Sequence, residues 1–339
     1  MRVKVGIAGA SGYTGAELLR LCAGHPEFEV VLAGADTQAG LAVGDSYPSL
    51  GLAYPSLRFS ALAPSDLTGV DLVFLALPHG ASQAVVPELV GKVGAVVDLS
   101  ADFRLRDPAA YPRWYGADHA APELLGAFAY GLPELFRSDV EGARMVAAPG
   151  CYPTAAALAL APFVRAGAVE PAGVIVDAAS GVSGAGRTAS ASKQFTAVDE
   201  DFTAYGLVDH RHTPEIEQAT GASVLFTPHL APMNRGILAT CYARPAADLT
   251  TEAALGILRD AYAGEPFVMV GETPPSTKAT AGSNCAHLTA RVDPRTGWVL
   301  VLCALDNLVK GASGQAVQCA NLALGLPEGT GLPVAGLYP

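Results

Sequence analysis

The sequence predicts an α/β protein in which a doubly wound Rossmann-type domain precedes a second α+β domain with a mixed sheet. Over about the first 150 residues, short strands that are apolar throughout alternate with helical segments, a pattern typical of a parallel sheet covered on both faces. A glycine-rich loop joins the first strand to the first helix. After Gly150 the helices become sparse and a good hairpin turn appears, which indicates a different second domain.

Residues 1–149 are expected to form a dinucleotide-binding domain, completed by the C-terminal helix of residues 311–339. The apolar runs predict strands at Val3–Ala8, Val30–Ala33, Leu72–Leu77, Ala95–Leu99 and Met145–Pro149, and helices are expected at Thr14–Cys22 and Ser82–Val90. Strands that alternate with helices in this way indicate βαβ units. The first domain should therefore contain the cofactor site.

Residues 150–310 are expected to form the catalytic, substrate-binding and oligomerisation domain. Strands are predicted at Gly173–Ala178, Val224–Thr227, Ile237–Ala243, Phe267–Val270, Leu288–Val292 and Trp298–Leu305. The last two flank Asp293–Gly297, a turn sequence that favours an antiparallel hairpin. Mixed or antiparallel pairing fits this part of the chain.

The composition excludes several classes of function. Net charge is 21 − 32 = −11, without the dense run of basic residues that binds nucleic acid. No signal region precedes the first strand, and no apolar stretch reaches the roughly 20 residues that span a bilayer. The six cysteines form no C-x-x-C pair or His-Cys spacing typical of metal ligands, so no metal is expected. We predict a cytoplasmic protein that acts on a small molecule.

The loop Gly9-Ala-Ser-Gly-Tyr-Thr-Gly15 is a variant of the dinucleotide fingerprint. Glycines at such a strand–helix junction permit a tight turn and a close approach of backbone to pyrophosphate. The start of the helix adds N–H groups and a partial positive charge. The candidate cofactor residues of this loop are Gly9, Ser11, Gly12, Tyr13, Thr14 and Gly15.

Two residues beyond this loop are further cofactor candidates, each with a structural alternative. Asp36 lies 21 residues after Gly15, where an acidic residue often bonds the ribose of NAD and disfavours the 2′-phosphate of NADP. Asp36 can equally well be an exposed loop residue that binds no cofactor. His79, in Pro78-His-Gly80, follows a strand end where open parallel sheets bind ligands. It can line the nicotinamide side or serve the loop structurally.

Cys151 is the candidate nucleophile. It follows a predicted strand in Gly150-Cys-Tyr-Pro-Thr154, ahead of a helix rich in alanine and leucine. Pro153 suits the first turn of a helix, which places the sulfur at the positive helix end that favours a thiolate. Backbone N–H groups of the same turn can stabilise an oxyanion. The other cysteines are expected to be structural.

The densest histidine cluster is His210-Arg-His-Thr-Pro-Glu215. A thiolate that attacks a carbonyl needs a proton shuttle nearby, so His210 and His212 are the candidates, with His210 favoured as the acid/base. In an extended loop the two rings would point in opposite directions, one toward the sulfur and one toward substrate. His25 and His119 are expected at the surface.

Eight motifs occur in order along nearly the whole chain: Gly9–Gly15, Leu99–Arg104, Ala129–Glu134, Gly150–Thr154, Ser180–Arg187, His210–Glu215, Asn234–Gly236 and Asp306–Gly311. Together they resemble the N-acetyl-gamma-glutamyl-phosphate reductase family, the arginine-biosynthesis relatives of aspartate-semialdehyde dehydrogenase. The resemblance implies reduction of an acyl phosphate by NADPH, with release of phosphate and a thioester at Cys151. It also implies two domains, a homodimer or homotetramer, a cytoplasmic location, and a cofactor role for Asn307.

The sequence departs from that expectation near Asp36. No Arg or Lys lies between residues 21 and 57 to receive the 2′-phosphate of NADP(H). Either Asp36 points away and Ser11, Thr37 or backbone amides hold the phosphate, or the cofactor preference is relaxed.

The phosphate and carboxylate of the substrate require cations, for which a guanidinium is well suited. The candidates in motif-like loops are Arg104, Arg187, Arg211, Arg235 and Lys278, with surface salt bridges as the alternative for each. The loops Ser180–Arg187 and Thr277–Asn284 contain no acid, which favours an amide over an ammonium group in the substrate. Glu215 is the nearby acid that can still recognise an ammonium.

Three other functions compete with this interpretation. Two are aspartate-semialdehyde dehydrogenase and the lysine-pathway reductase of an aminoadipyl phosphate, which use the same chemistry on other substrates. The third is a non-catalytic redox sensor with Cys151 as its oxidisable thiol. The third leaves the histidine cluster and Arg104 without a role.

Overall fold

The structure, a computed structural model, describes residues 2–338 and divides into two compact units. Unit 1 comprises Met1–Pro149 and Ala312–Leu332, and unit 2 comprises Gly150–Gly311 and Pro333–Pro339. The sequence suggested one C-terminal helix over residues 311–339, but the chain after Leu332 belongs to unit 2. There Pro333 O accepts the N–H of Asn284 at 2.8 Å, a contact that no local pattern encodes.

The strands are β1 (Val3–Ala8), β2 (Phe28–Gly34), β3 (Leu72–Leu75), β4 (Ala95–Asp98), β5 (Ala129–Tyr130), β6 (Met145–Ala147), β7 (Val174–Gly181), β8 (Thr203–Ala204), β9 (Val224–Ala231), β10 (Ile237–Ala243), β11 (Val268–Val270), β12 (Ala286–Val292) and β13 (Val299–Leu305). The helices are α1 (Tyr13–Ala23), α2 (Val43–Ser46), α3 (Ser82–Leu89), α4 (Ala110–Tyr115), α5 (Pro133–Val140), α6 (Cys151–Arg165), α7 (Phe195–Val198), α8 (Thr213–Thr220), α9 (Thr251–Ala261), α10 (Thr277–Thr280) and α11 (Gly314–Ala323). Within residues 2–338, none of the helices has the length and apolarity that crossing a membrane requires.

Unit 1 is built on a six-stranded sheet in the order β2-β1-β3-β4-β6-β5, with every neighbouring pair parallel. All four residues of β3 and of β4 are buried, as expected for strands that are covered on both faces. The chain leaves β1 for β2 on one side and continues to β3 on the other. The carboxyl ends of β1 and β3 therefore flank the crevice where such sheets bind ligands, and the predicted doubly wound fold is confirmed.

Unit 2 contains a seven-stranded mixed sheet in the order β11-β12-β13-β10-β7-β9-β8. β12 and β13 form the predicted antiparallel hairpin, whereas β7–β9 and β11–β12 are parallel pairs. One face is covered by α6, which is buried from Tyr152 to Phe163 and packs against β10 and β13. Its small alanine side chains let the helix lie close to the sheet. The predicted mixed sheet is confirmed.

The expectation that His25 and His119 lie at the surface was wrong, because both are buried. His25 stacks on Phe28 with 3.7 Å between ring centroids, and its Nε2 lies 3.0 Å from Oδ1 of Asn321. Nε2 of His119 lies 2.8 Å from the carbonyl oxygen of Asp102. Burial lowers the pKa of both histidines. Asn321 and Asp102, the partners of the two Nε2 atoms, are remote in sequence, so the local pattern does not indicate burial.

Candidate active site

The loop between β1 and α1 requires its glycines. Gly9 has φ +82°, and a Cβ there would lie 2.2 Å from Ala76 O. A Cβ at Gly15 would lie 2.3 Å from Gly9 O, since the first turn of α1 packs on the loop itself. Gly12 is the residue that precedes α1 and has extended backbone. This compact loop brings the N–H groups at the start of α1 within reach of a pyrophosphate.

The remaining predicted residues of the loop lie at the same edge of the sheet. Tyr13 and Thr14 form the first turn of α1, and Thr14 O accepts the hydroxyl of Ser313 at 2.9 Å. Ser11 O accepts the hydroxyl of Tyr47 at 2.7 Å. These contacts use backbone oxygens, and they hold the loop in place from two sides.

The end of β2 carries a cation that the sequence analysis missed. Asp36 and Thr37 are exposed in a short 3₁₀ turn directly after β2. Nη1 of Arg58 donates to Gly40 O at 2.9 Å, and residue 58 pairs with Ala42 in an isolated bridge. An extended segment 22 residues after Asp36 thus brings a guanidinium to this turn. Arg58 is too far from Asp36 along the chain for a local pattern to connect the two residues.

Cys151 begins α6, as predicted, and Gly150 before it has extended backbone. Its side chain is half-buried, whereas the other five cysteines are buried. Burial raises the pKa of Cys22 and Cys303 to about 12, so both are inert thiols at neutral pH. An accessible sulfur at a helix N-terminus is the setting in which reactive cysteines occur.

A buried carboxylate holds the turn that presents Cys151. Oε1 of Glu215 accepts the N–H of Gly150 at 2.8 Å, and Glu215 is fully buried in the first turn of α8. The hydroxyl of Thr154 donates to Gly150 O at 2.9 Å. These contacts contradict our suggestion that Glu215 recognises an ammonium group, because its carboxylate is buried beneath the site.

The backbone of a π-helical turn, Val309–Ser313, packs against Cys151. A Cβ at Gly311 would lie 2.8 Å from Cβ of Cys151 and 3.2 Å from its Cα. Only a glycine lets the two segments approach this closely. Gly311 therefore sets the position of Cys151, and π-helical turns are frequent at functional sites.

His210 and His212 do not point in opposite directions, so that expectation was wrong. His212 has helical backbone (φ −80°, ψ −13°) ahead of α8, and the two ring centroids lie 4.8 Å apart. The backbone N–H of His212 donates to Nδ1 of His210 at 3.1 Å. In the neutral ring, the remaining proton is therefore assigned to Nε2 of His210. Burial, followed by the charge of Arg211, lowers the pKa of His210 to about 4, so the ring is neutral at pH 7.

A cavity of about 650 Å³ in unit 2 is lined by Cys151, His210 and His212. Arg211 also lines it, as does Lys193, which the sequence analysis missed. The ammonium of Lys193 donates to the carbonyl oxygens of its own loop. Lys193 lies outside every recognised motif, so only the folded loop places it at the cavity.

The predicted substrate cations do not gather in one place. Arg104, in unit 1, donates from Nε to Ala148 O and from Nη2 to Leu99 O, both at 2.8 Å. Arg104 thus connects the residues that directly follow β6 and β4. Its role in substrate binding stays a prediction. Of the four arginines predicted to bind substrate, only Arg211 lines the cavity.

Among the other predicted residues of unit 2, Asn307 supports the loop Ser180–Arg187. Asn307 is buried, its Oδ1 accepts the N–H of Gly236 at 2.8 Å, and its Nδ2 donates to Oγ of Ser183 at 2.9 Å. Nη1 of Arg235 lies 3.5 Å from Oδ2 of the buried Asp306. Arg187 is exposed at the loop end, and Lys278 lies in α10. The cofactor role of Asn307 and the substrate roles of these cations stay predictions.

His79 lies after β3, at the carboxyl edge of the parallel sheet, as predicted. Its Nδ1 lies 2.5 Å from Oδ1 of Asp102, a buried residue of the Leu99–Arg104 motif to which the sequence analysis gave no role. The motif itself was recognised, but the pairing of Asp102 with His79 depends on two loops from adjacent strands.

Two family models match the chain. One, described as "Semialdehyde dehydrogenase, NAD binding domain", matches residues 4–143, and the other, "Semialdehyde dehydrogenase, dimerisation domain", matches residues 151–307. The chain is 52% identical to the N-acetyl-gamma-glutamyl-phosphate reductase of Symbiobacterium thermophilum and 51% identical to that of Salinispora tropica, each alignment covering 100% of both proteins. Aspartate semialdehyde dehydrogenase II of Vibrio cholerae, in complex with ASA, matches with a TM-score of 0.72 at 16% identity over 96% of this chain and 99% of that one. At such low identity the likeness concerns the fold alone.

Replacing Gly311 by Ala should lower the reactivity of Cys151, because the added Cβ displaces the sulfur from the helix start. We expect iodoacetamide to alkylate Cys151 about tenfold more slowly, since a helix terminus contributes about 1–2 kcal/mol to a partly buried charge. Mass spectrometry of labelled peptides measures the rate, and protection of Cys22 and Cys303 shows that the fold survives.

The matched control is Gly256→Ala in α9, where a Cβ meets no atom within 4 Å. This variant should be alkylated at the wild-type rate. An unchanged rate in Gly311→Ala would show that the close approach does not set the position of Cys151.

Proposed function

Because the chain belongs to the N-acetyl-gamma-glutamyl-phosphate reductase family, we infer that it reduces N-acetyl-gamma-glutamyl phosphate to N-acetylglutamate semialdehyde with NADPH and releases phosphate. This reaction is a step of arginine biosynthesis, and we place it in the cytoplasm. The observation that carries the chemistry is the cavity where Cys151, at the start of α6, meets His210 and His212.

Cys151 is the proposed nucleophile. Its thiolate attacks the acyl carbon, the carbon–oxygen bond to the phosphate breaks, and inorganic phosphate leaves a thioester on the sulfur. The N–H groups at the start of α6 can stabilise the oxyanion of the addition step. Sulfur donates little resonance to a carbonyl, so the thioester accepts hydride more readily than a carboxylate does.

His210 is the proposed hydrogen-bond donor to the reacting oxygen. Its Nδ1 already accepts the N–H of His212, so the proton on Nε2 is the one available to the substrate. The neutral ring can stabilise the negative charge that develops on the thioester oxygen. Collapse of the hemithioacetal then breaks the carbon–sulfur bond, releases the aldehyde and restores the Cys151 thiolate. His212 orients the ring of His210.

Unit 1 fits a dinucleotide, because the packing of Gly9 and Gly15 leaves no space for a Cβ where the pyrophosphate must come close. When bound, NADPH supplies the hydride that reduces the thioester. We assign residues 1–149 to cofactor binding and 150–310 to catalysis. Within unit 1 the proposed contacts are the backbone of Gly9, Gly12 and Gly15, the neighbouring Ser11, Tyr13 and Thr14, Thr37 after β2, and His79 after β3.

The charges of the cavity suit a dianionic phosphate and a carboxylate. Arg211 and Lys193 supply two cations, and Asp201 is the acid among the described lining residues. The carboxylate of Asp201 can accept the N–H of an acetamido group. Glu215 bonds Gly150 and is buried. A free ammonium in the substrate would therefore have to pair with Asp201.

The phosphate-dependent oxidation of semialdehydes, followed by NADPH absorbance, tests this function. We expect N-acetylglutamate semialdehyde to be preferred strongly over aspartate semialdehyde, and over the aminoadipate homologue by the roughly 10–200-fold that one methylene supports. Cys151→Ala should abolish turnover while NADPH still binds. His210→Ala, which removes the proposed donor, should lower kcat by roughly 10²–10³, the effect of losing one hydrogen bond to a developing oxyanion.

Equal or faster turnover of aspartate semialdehyde would assign the chain to the sister activity. Full activity of Cys151→Ala would remove the thioester mechanism.

We further propose that Arg58 receives the 2′-phosphate of NADPH. Its guanidinium bonds Gly40, four residues after Asp36, in the loop that follows β2. This is the strand end at which dinucleotide-binding sheets contact the adenosine ribose, and an arginine there accommodates the phosphate. A guanidinium can bond two phosphate oxygens at once, which offsets the repulsion from Asp36.

Arg58→Ala should weaken NADPH binding about tenfold, the effect of losing one charge-assisted hydrogen bond, and leave NADH binding unchanged. Titration of both cofactors by their fluorescence measures the ratio. Arg295→Ala, which removes a side chain that is 83% exposed in the β12–β13 hairpin, is the control and should alter neither affinity. Equal losses for both cofactors would contradict a phosphate contact.

We also propose that the chain forms a homodimer through the open face of its mixed sheet, with a homotetramer as a pair of such dimers. α6 and α9 cover the opposite face. Leu225, Ile175, Tyr242 and Leu300 lie in register across β9, β7, β10 and β13, and the side chain of Leu225 is among the exposed large apolar groups. A broad apolar sheet face of this kind marks an interaction site.

Leu300→Asp should convert the wild-type dimer or tetramer to a monomer or a smaller assembly, because a charge within this apolar row must be desolvated on association. Light scattering after size exclusion measures the mass. Leu52→Asp, at a side chain that is 99% exposed in unit 1, should leave the mass unchanged. A wild-type monomer, or a Leu300→Asp protein of wild-type mass, would exclude this interface.

A further inference from the structure

His79 and Asp102 form a hydrogen-bonded pair at the carboxyl edge of the parallel sheet in unit 1. Nδ1 of His79 lies 2.5 Å from Oδ1 of Asp102; the aspartate is fully buried, and 27% of the histidine side chain is exposed. His79 follows β3 and Asp102 follows β4, which is the neighbouring strand. The pair thus joins a buried carboxylate to a ring that solvent or a ligand can reach.

Asp102 is an ionised and rigidly held carboxylate. Its Oδ1 also accepts the N–H of Gly80 at 2.8 Å, and its Oδ2 accepts those of Ser82 at 3.0 Å and Gln83 at 3.3 Å. Burial acts to raise the pKa of Asp102, but the hydrogen bonds from His79 and Gly80 outweigh it and hold this pKa below its ordinary value. A carboxylate accepts hydrogen bonds, so Nδ1 of His79 carries the proton.

This arrangement fixes the orientation of the His79 ring. Because Nδ1 bonds Asp102, Nε2 lies on the opposite side of the ring and is presented to whatever contacts the loop. Tyr115 packs on the ring with 4.5 Å between centroids, which limits rotation further. The ring is therefore held with Nε2 facing away from Asp102.

The sheet order places His79 relative to a bound dinucleotide. The turn after β2, with Thr37, receives the adenosine ribose, and the glycine loop after β1 receives the pyrophosphate. Since β3 lies on the far side of β1 from β2, the other half of the dinucleotide extends over the end of β3. The glycine loop touches this end directly, as Gly9 packs on Ala76 and Leu77, three and two residues before His79.

We propose that Nε2 of His79 hydrogen-bonds the nicotinamide mononucleotide half of the cofactor, and that Asp102 is the positioning residue for this contact. The inference rests on the proposed function for the identity of the dinucleotide. Asp102 has a second, structural role, because it accepts the N–H groups at the start of α3. The test must separate positioning of His79 from this support of the helix.

Two ligands separate the two roles of Asp102. NADPH contains both halves of the dinucleotide, whereas adenosine 2′,5′-bisphosphate contains only the adenosine half. In His79→Phe the ring still packs on Tyr115, but both nitrogens are lost. This variant should bind NADPH about tenfold more weakly, the effect of losing about 1.4 kcal/mol, and bind the bisphosphate as the wild type does. Calorimetric titration measures both affinities.

A double-mutant cycle tests the role of Asp102. Asp102→Asn should also weaken NADPH selectively, and in the His79→Phe background it should cause little further loss, because its effect acts through the histidine. Asp98→Asn is the matched control. Asp98 is equally buried, but it accepts the hydroxyls of Ser82 and Ser100 at 2.9 and 2.7 Å rather than bonding His79, so Asp98→Asn should not weaken NADPH selectively.

The outcomes are distinct. Wild-type NADPH affinity in His79→Phe, or equal losses for both ligands, overturns the contact. If His79→Phe weakens only NADPH binding, but the losses caused by His79→Phe and Asp102→Asn add in the double mutant, the positioning role of Asp102 is overturned. If Asp102→Asn does not fold, the binding of the two ligands to His79→Phe decides whether the contact exists. A wild-type protein without phosphate-dependent semialdehyde oxidation would overturn the proposed function, whereas an active wild type with unaltered His79→Phe overturns only this inference.

Discussion

The hydrogen bond from the N–H of Gly150 to the buried carboxylate of Glu215 connects the two segments on which the proposed chemistry depends. Gly150 precedes the nucleophile at the start of α6, and Glu215 lies in the first turn of α8, directly after the histidine pair. Breaking this bond would leave the buried N–H of Gly150 without its acceptor, which is costly in a protein interior. The bond therefore couples the position of Cys151 to that of His210 through one rigid contact.

Close backbone approach is the second constraint, and it recurs at both sites. Around Cys151 the absence of a Cβ at Gly311 lets the π-helical turn touch the first residue of α6. In the nucleotide-binding unit the same absence at Gly9 and Gly15 lets loop, strand end and helix start pack together. At each site the proposed binding surface is the main chain itself, whose N–H groups at a helix start carry positive potential.

An acidic protein can thus bind anionic ligands with few cations. The net charge of −11 acts over the whole surface and is screened within about 8 Å at physiological ionic strength. Helix starts act at contact distance, as do Arg211, Lys193 and Arg58. Local fields of this kind dominate over the total charge, so an acidic composition is compatible with a phosphorylated substrate.

Many of the longer elements could be predicted from the sequence, because hydrophobic periodicity depends on residues within one or two turns of each other. The predicted bounds of β1 and β10 match the structure, the hairpin at Asp293–Gly297 formed as expected, and Cys151 begins a helix. The proposed cofactor loop and the proposed nucleophile could also be singled out, since each is a local motif with a local mechanism. These features cover the fold class and the type of chemistry.

Only the tertiary structure decided which side chains meet. The helical backbone at His212 turned two rings toward one cavity, and an extended segment brought Arg58 to the turn after β2. Asp102 reached His79 because their strands are neighbours in the sheet, although 23 residues separate them in the chain. Contacts of this kind depend on how strands pair and on where loops fold back. That information lies in the packing of the whole domain and in no single stretch of sequence.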